Sequence, residues 1–196
     1  MKKAATRIAI FASGSGTNAQ RITEYFRDKE EISASLILSN NPDAYALTRA
    51  EKLGIPSFTF DRSEFYQSSV VHDKLSEYNI DFVILAGFLW LIPEYLTSSY
   101  PNRILNIHPA LLPKYGGKGM YGSKVHEAVK EAGDKETGIT IHFVNEKYDE
   151  GQIIFQAKCE LEPADTPDSI ATKVHELEYE HYPRVIDAQI TKYRKM

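Results

Sequence analysis

The stretch that decides the fold is Ile8-Ala9-Ile10-Phe11-Ala12-Ser13-Gly14-Ser15-Gly16-Thr17-Asn18. Its first five residues form a short, continuous apolar run. Too short for a helix and without alternation, such a run marks a strand buried on both faces, as in a parallel sheet. A glycine-rich turn follows, and then a helix with Ile22, Tyr25 and Phe26 at helical spacing. The same grammar continues downstream. Residues 34–38 read as a second strand, 44–53 as a helix ending at Gly54-Ile55-Pro56, 58–60 as a third strand, 63–78 as one polar helix and 81–86 as a fourth strand. Alternation of this kind predicts an α/β fold: a Rossmann-like open sheet, mostly parallel, with helices on both faces.

The second half is less regular. Residues 103–107 read as a strand running into His108-Pro109, 116–122 as a glycine-rich loop and 123–132 as a helix. Residues 139–144 alternate and are expected to be half-buried. A strand over 152–157 is expected to pair with them as an antiparallel hairpin. Thr166 and Pro167 suit the N-cap and first turn of a long helix reaching about Ile190. No repeat, low-complexity segment or linker interrupts the chain. The expectation is one domain over 1–196, with a phosphate-binding half to about residue 90 and a second half carrying the chemistry.

Composition narrows the class. In 196 residues there are 23 basic and 27 acidic side chains, a net charge of -4, which argues against a nucleic-acid coat or a polybasic membrane anchor. The single cysteine, Cys159, can form neither an internal disulfide nor a thiolate zinc site. No histidine and carboxylate set has metal spacing, so no metal is expected. No apolar run approaches the roughly 20 residues of a membrane span. The basic start at Met1-Lys2-Lys3 leads into an apolar stretch too short for a signal peptide. A cytoplasmic location follows as the expectation, with the protein a monomer or homodimer.

Three constellations carry possible chemistry. Gly14 and Gly16 let the backbone approach a ligand, and the next helix offers free N–H groups to an anion; a tight turn without ligand is the alternative. Gly14-x-Gly16-x-x-Ala19 fits a dinucleotide fingerprint formally. The second strand, however, ends in Ser39-Asn40-Asn41 rather than an acidic residue, which favours a simple phosphate. Asn106 and His108 share a strand face at a carboxyl end. An amide there can donate to a developing oxyanion, and an imidazole can move a proton. Asp149 precedes Glu150-Gly151 in a turn; an aspartate facing His108 would raise the histidine's pKa. Lys114, Lys118 and Lys124 surround the glycine-rich loop and are read as anion-attracting or simply solvated. His142 is expected to pack or to face a cleft wall.

Taken together, segments 13–18, 85–88, 105–115, 138–144 and 149–154 resemble, in order, the phosphoribosylglycinamide formyltransferase family, folate-dependent enzymes of purine synthesis. The resemblance covers nearly the whole chain. It implies formyl transfer from 10-formyltetrahydrofolate, a co-substrate, to the amine of glycinamide ribonucleotide, with no metal. It assigns Asn106, His108 and Asp149 to catalysis, Gly16, Thr17 and Asn18 to the substrate phosphate and Glu178 to the nucleotide. Leu89, Trp90, Leu91, Ile92, Asn106, Asn145, Glu146, Lys147 and Tyr148 are assigned to the folate. Trp90 occupies a position where arginine is common. An arginine used by the family after the third strand, near the substrate phosphate, has no clear counterpart in 63–72.

Two enzyme relatives and one non-enzyme reading compete. A formyltetrahydrofolate deformylase would carry an amino-terminal regulatory domain, and a methionyl-tRNA formyltransferase a basic carboxy-terminal RNA-binding domain. The length of this chain argues against both. A non-catalytic module binding a phosphate ligand would give His108 and Asp149 no role beyond packing.

Overall fold

The computed structural model describes residues 4–195; Met1-Lys2-Lys3 and Met196 lie outside the described residues. A seven-stranded sheet runs in the order β3-β2-β1-β4-β5-β6-β7. The strands are β1 (Thr6–Phe11), β2 (Ile32–Ser39), β3 (Ser57–Thr59), β4 (Phe82–Leu85), β5 (Ile104–His108), β6 (Glu136–Phe143) and β7 (Ile153–Glu160). β1 to β5 are mutually parallel, and β6 and β7 are antiparallel to their neighbours. The strand order reverses between β1 and β4, and open α/β sheets bind ligands outside the carboxyl ends of the strands at such a switch.

The helices are α1 (Thr17–Phe26), α2 (Tyr45–Leu53), α3 (Arg62–Tyr66), α4 (Val70–Glu77), α5 (Glu94–Ser99), α6 (Ser123–Ala132) and α7 (Pro167–Arg194). Two apolar clusters flank the sheet. One joins Ile8, Ile10, Ile22, Ile84 and Leu105 to the inner face of α7. The other joins Phe11, Phe60, Phe65, Val83 and Leu96. α7 buries Ile170, Val174, Glu178, Tyr182, Ile186 and Ile190, a stripe with a residue every fourth position. Thr166 caps its start by accepting from the Ser169 N–H, as expected.

Two expectations need correction. The polar helix over 63–78 is two helices. A capping box between Asp61 and Glu64 starts α3, and the Ser68 hydroxyl then donates to the Glu64 carbonyl at 2.8 Å. Serine here offers the backbone a local alternative to helix, and the chain restarts at Val70. β6 is buried along most of its length rather than half-buried. Its polar positions are covered because the Thr140 hydroxyl donates to the Ala110 carbonyl at 2.7 Å and accepts from the Leu112 N–H at 2.9 Å. The 110–112 segment is thereby tied over the strand. The short helix α5 was not foreseen in the sequence.

Candidate active site

One cavity of about 650 Å³ opens over the carboxyl ends of β1, β4 and β5. It runs from the β1–α1 loop past Asn106 and His108 to residues 89–92. At the first end Gly16 adopts φ 72° and is the N-cap of α1. A Cβ there would lie 2.6 Å from Ala46, so the close approach of α2 demands glycine. No side chain caps α1 and no acidic residue sits in its first turn. Its N–H groups and positive dipole end are left to an anion. Asn40, where a dinucleotide site would place an acid, instead accepts the Ser13 hydroxyl at 2.7 Å. That hydroxyl in turn accepts the Leu89 N–H at 3.1 Å, joining the two ends of the cavity wall.

α7 brings Glu178 to the same end. Its carboxylate accepts from the Asn18 amide at 2.7 Å. Burial raises its pKa to about 7, with the Asn18 amide working against the rise. A carboxyl group in the middle of an apolar stripe is the signal that singles out Glu178 from the exposed Glu176 and Glu180. One turn further on, the Tyr182 hydroxyl lies 2.9 Å from the Leu85 carbonyl and 3.0 Å from that of Leu105, locking α7 to the ends of β4 and β5.

At the centre, Asn106 and His108 project from one face of β5, and both line the cavity. His108 is buried. Its Nε2–H donates to the Tyr115 carbonyl at 2.8 Å, since a carbonyl only accepts. Nδ1 therefore faces Asp149, 3.5 Å away. Neutral His108 would present a bare lone pair to a carboxylate; protonation replaces that repulsion with an ion pair. Burial nevertheless outweighs this, so the pKa of His108 lies below its ordinary value, with Asp149 and the Tyr115 carbonyl pulling it back up. The expected direction of the Asp149 effect holds, and burial outweighs it.

Asp149 is held from several sides. Its Oδ2 accepts the Gly117 N–H at 2.9 Å, and its Oδ1 lies 3.6 Å from His142 Nε2. Burial acts to raise its pKa, but His142, His108 and the Gly117 N–H outweigh it, and Asp149 stays below the usual carboxylate range. His142 lines the cavity, as expected of a residue facing a cleft wall, and it also contacts both Asn106 and Asp149. It lies directly opposite Asn106 in the antiparallel β5–β6 pair. Its Nδ1–H donates to the Phe143 carbonyl at 2.8 Å, and its Nε2 accepts from the Asn106 amide at 3.1 Å. That bond orients the Asn106 NH2 group and leaves its second hydrogen for a ligand.

At the far end Leu89, Trp90, Leu91 and Ile92 all line the cavity, as do Lys147 and Tyr148. Asn145 and Glu146 do not; the Asn145 side chain instead accepts the Lys147 N–H at 2.9 Å. Trp90 stacks on Tyr66, with ring centres 6.0 Å apart. The Arg62 guanidinium rests over both rings, 5.1 Å from Tyr66 and 5.7 Å from Trp90. Arg62 follows the third strand but rests at this far end of the cavity, so it does not supply the arginine that the family uses near the substrate phosphate. Of the three loop lysines only Lys118 lines the cavity, whereas Lys114 pairs with Asp134 at 3.2 Å. Two further histidines line it, His126 and His175. Among the described residues no group of three or more His, Cys, Asp or Glu is placed to hold a metal ion.

A family model described as formyl transferase matches residues 6–186. The chain is 37% identical over 185 residues to phosphoribosylglycinamide formyltransferase of Haemophilus influenzae, covering 92% of this chain and 85% of that protein. It is 43% identical over 188 residues to the chloroplastic phosphoribosylglycinamide formyltransferase of Arabidopsis thaliana, covering 93% of this chain but 64% of that longer protein. The crystal structure of phosphoribosylglycinamide formyltransferase from Bacillus halodurans superposes with a TM-score of 0.86 at 36% identity, covering 96% of this chain and 97% of the other. The match spans the β1–α1 loop, the Asn106–His108 strand and the β6–β7 turn alike, and the chain belongs to the formyl transferase family.

Proposed function

We propose that the protein transfers the formyl group of 10-formyltetrahydrofolate to the amine of N1-(5-phosphoribosyl)glycinamide (glycinamide ribonucleotide), a step of purine synthesis. The observation that carries this reading is the single cavity that joins an uncapped helix N-terminus to a pair of donors backed by a carboxylate. The phosphate is taken by the N–H groups at Gly16, Thr17 and Asn18, and the ribose by Glu178. The pterin lies along Leu89 to Ile92 and under the 145–148 loop. Arg62, with no carboxylate within salt-bridge distance among the described residues, offers its charge to the acidic tail of the folate.

The chemistry follows from these groups. The substrate amine attacks the formyl carbon, and a carbon–nitrogen bond forms as the carbonyl oxygen takes up negative charge. Asn106 donates its free N–H to that oxygen, and protonated His108 donates from Nδ1. Asp149 favours the imidazolium and accepts hydrogen bonds from the tetrahedral intermediate. The proton lost by the attacking amine reaches N10 of the folate through Asp149 and water. The bond from carbon to N10 then breaks, releasing tetrahydrofolate and the formylated amide.

Mixing the protein with both substrates and following the formylated nucleotide tests the reading. Product formation supports it. Formate release without the amine substrate would instead assign a hydrolase, and thermal stabilisation by the nucleotide without turnover would assign a binding module.

A further inference from the structure

Arg49 lies on α2, outside the cavity, yet it grips the loop that forms the cavity's nucleotide end. Its Nε–H donates to the Ser15 carbonyl at 2.8 Å, and its Nη1 donates to the side-chain carbonyl of Gln20 in the first turn of α1. Tyr45 supports the guanidinium, with its ring centre 4.9 Å away. Among the described residues no carboxylate lies within salt-bridge distance of Arg49. α2 takes a second carbonyl as well, because the Ala46 N–H donates to the Gly14 carbonyl at 3.0 Å. The C=O and N–H of a trans peptide point in opposite directions. With both carbonyls drawn toward α2, the N–H groups of Ser15 and Gly16 are turned away from it. Residues 13–18 line the cavity and α2 does not, so those N–H groups are turned to the cavity side. Neither has an acceptor among the described residues. Successive N–H groups aligned in this way make an anion-binding concavity, continuous here with the unpaired N–H groups that begin α1.

Resting on the transfer reading above, this concavity takes the phosphate of glycinamide ribonucleotide. We propose that Arg49 is a positioning residue for that phosphate: without touching the substrate, its guanidinium fork fixes the Ser15–Gly16 peptide against α1, so that the loop N–H groups meet the anion. The two carbonyls differ in how they are held. That of Gly14 is held by a backbone donor, whereas among the described residues that of Ser15 accepts only from Arg49. The peptide beside it ends in Gly16, whose missing Cβ leaves the backbone free to turn unless something outside the loop holds it. A flip of that peptide would present a carbonyl oxygen to the phosphate in place of an N–H, exchanging attraction for repulsion. The guanidinium suits the task because it is planar and offers two donors at a fixed spacing, one for the loop and one for α1. A lysine carries the same charge but is a point donor on a flexible stem.

The test uses the full chain with Arg49→Met, which keeps the apolar stem, and Arg49→Lys, which keeps the charge without the fork. Steady-state kinetics are measured with glycinamide ribonucleotide, with the same acceptor lacking its phosphate, and with 10-formyltetrahydrofolate varied. Inorganic phosphate is titrated against each protein by NMR of the Gly16 amide. In Arg49→Met, KM for the nucleotide rises about tenfold or more, the scale of one charge-assisted hydrogen bond, while KM for the folate moves less than about twofold. The value of kcat/KM for the phosphate-free acceptor stays within about twofold of wild type, which a general loss of structure would not spare. Arg49→Lys recovers less than about half of the lost affinity on a logarithmic scale. Full recovery by lysine would make the effect one of charge alone and overturn the inference, as would equal losses for the acceptors with and without phosphate. Wild-type protein that neither binds nor formylates the nucleotide overturns the transfer reading. The phosphate titration then still decides the inference, and an identical response of the Gly16 amide in wild type and Arg49→Met overturns it.

Discussion

His108 Nδ1 lies 3.5 Å from Asp149 Oδ2, while its other ring nitrogen is spent on the Tyr115 carbonyl at 2.8 Å. The tautomer is thereby set by the backbone, and the only nitrogen free to change its proton count faces the carboxylate. Burial lowers the pKa of His108, and the Asp149 carboxylate is the strongest force opposing it. Asp149→Asn is therefore expected to lower the His108 pKa further, shifting the pH dependence of kcat/KM toward lower pH. It is expected to cut turnover on the order of 10²–10⁴-fold. Proton NMR titration of His108, read beside the rate profile, checks both; an unchanged titration contradicts the coupling.

Gly16 sits at φ 72° with the α2 backbone where a Cβ would be. Gly16→Ala meets both a left-handed backbone and a 2.6 Å contact to Ala46. A loss of about 2 kcal/mol or more in denaturant unfolding is expected. KM for the nucleotide should rise more than KM for the folate, because the displaced loop is the anion-binding one. Equal changes in both would argue against that assignment.

Glu178 has a pKa raised from 4.5 to about 7 by burial. Below pH 4.5 both folded and unfolded chains hold this proton, so it costs the fold nothing. As pH rises from 4.5 to about 7 the unfolded chain releases the proton before the folded one, and stability falls through that window. Glu178→Gln removes the effect. The variant should match wild type at pH 4 and exceed it at pH 8 by about 3 kcal/mol, while binding the nucleotide more weakly. Chemical denaturation at the two pH values measures the difference, and parallel curves would contradict it.

Arg62 rests on Trp90 and Tyr66 at the folate end. Arg62→Ala should raise KM for 10-formyltetrahydrofolate about tenfold, the scale of one charge-assisted hydrogen bond, and leave KM for the nucleotide unchanged. Steady-state kinetics with each substrate varied in turn decides it.

Much of this arrangement is legible in the residues themselves, for identifiable reasons. Ile8 to Ala12 and Phe82 to Leu85 are continuous apolar runs because parallel strands are buried on both faces, so the first half of the sheet reads directly. The contact between His142 and Asn106 does not, because it comes from their lying opposite one another across an antiparallel pair, a register that no local pattern reveals. The net direction of the His108 shift was not legible for a similar reason. The charge partner is visible in the sequence, but the depth of burial that outweighs it is not. The break at Ser68 is local but subtle, since a serine within a helical pattern ends it only when its hydroxyl competes for a carbonyl. Arg62 was not legible as a residue of the folate end, because its place over Trp90 and Tyr66 comes from packing between segments distant in sequence.

The most direct test compares formyl transfer from 10-formyltetrahydrofolate to glycinamide ribonucleotide by wild type and by His108→Ala, with circular dichroism confirming that both fold. The expected result is formylated nucleotide from wild type and a rate lower by on the order of a hundredfold or more in the variant, with an unchanged spectrum. Full activity in folded His108→Ala, or formate released by wild type without the amine, would contradict the account.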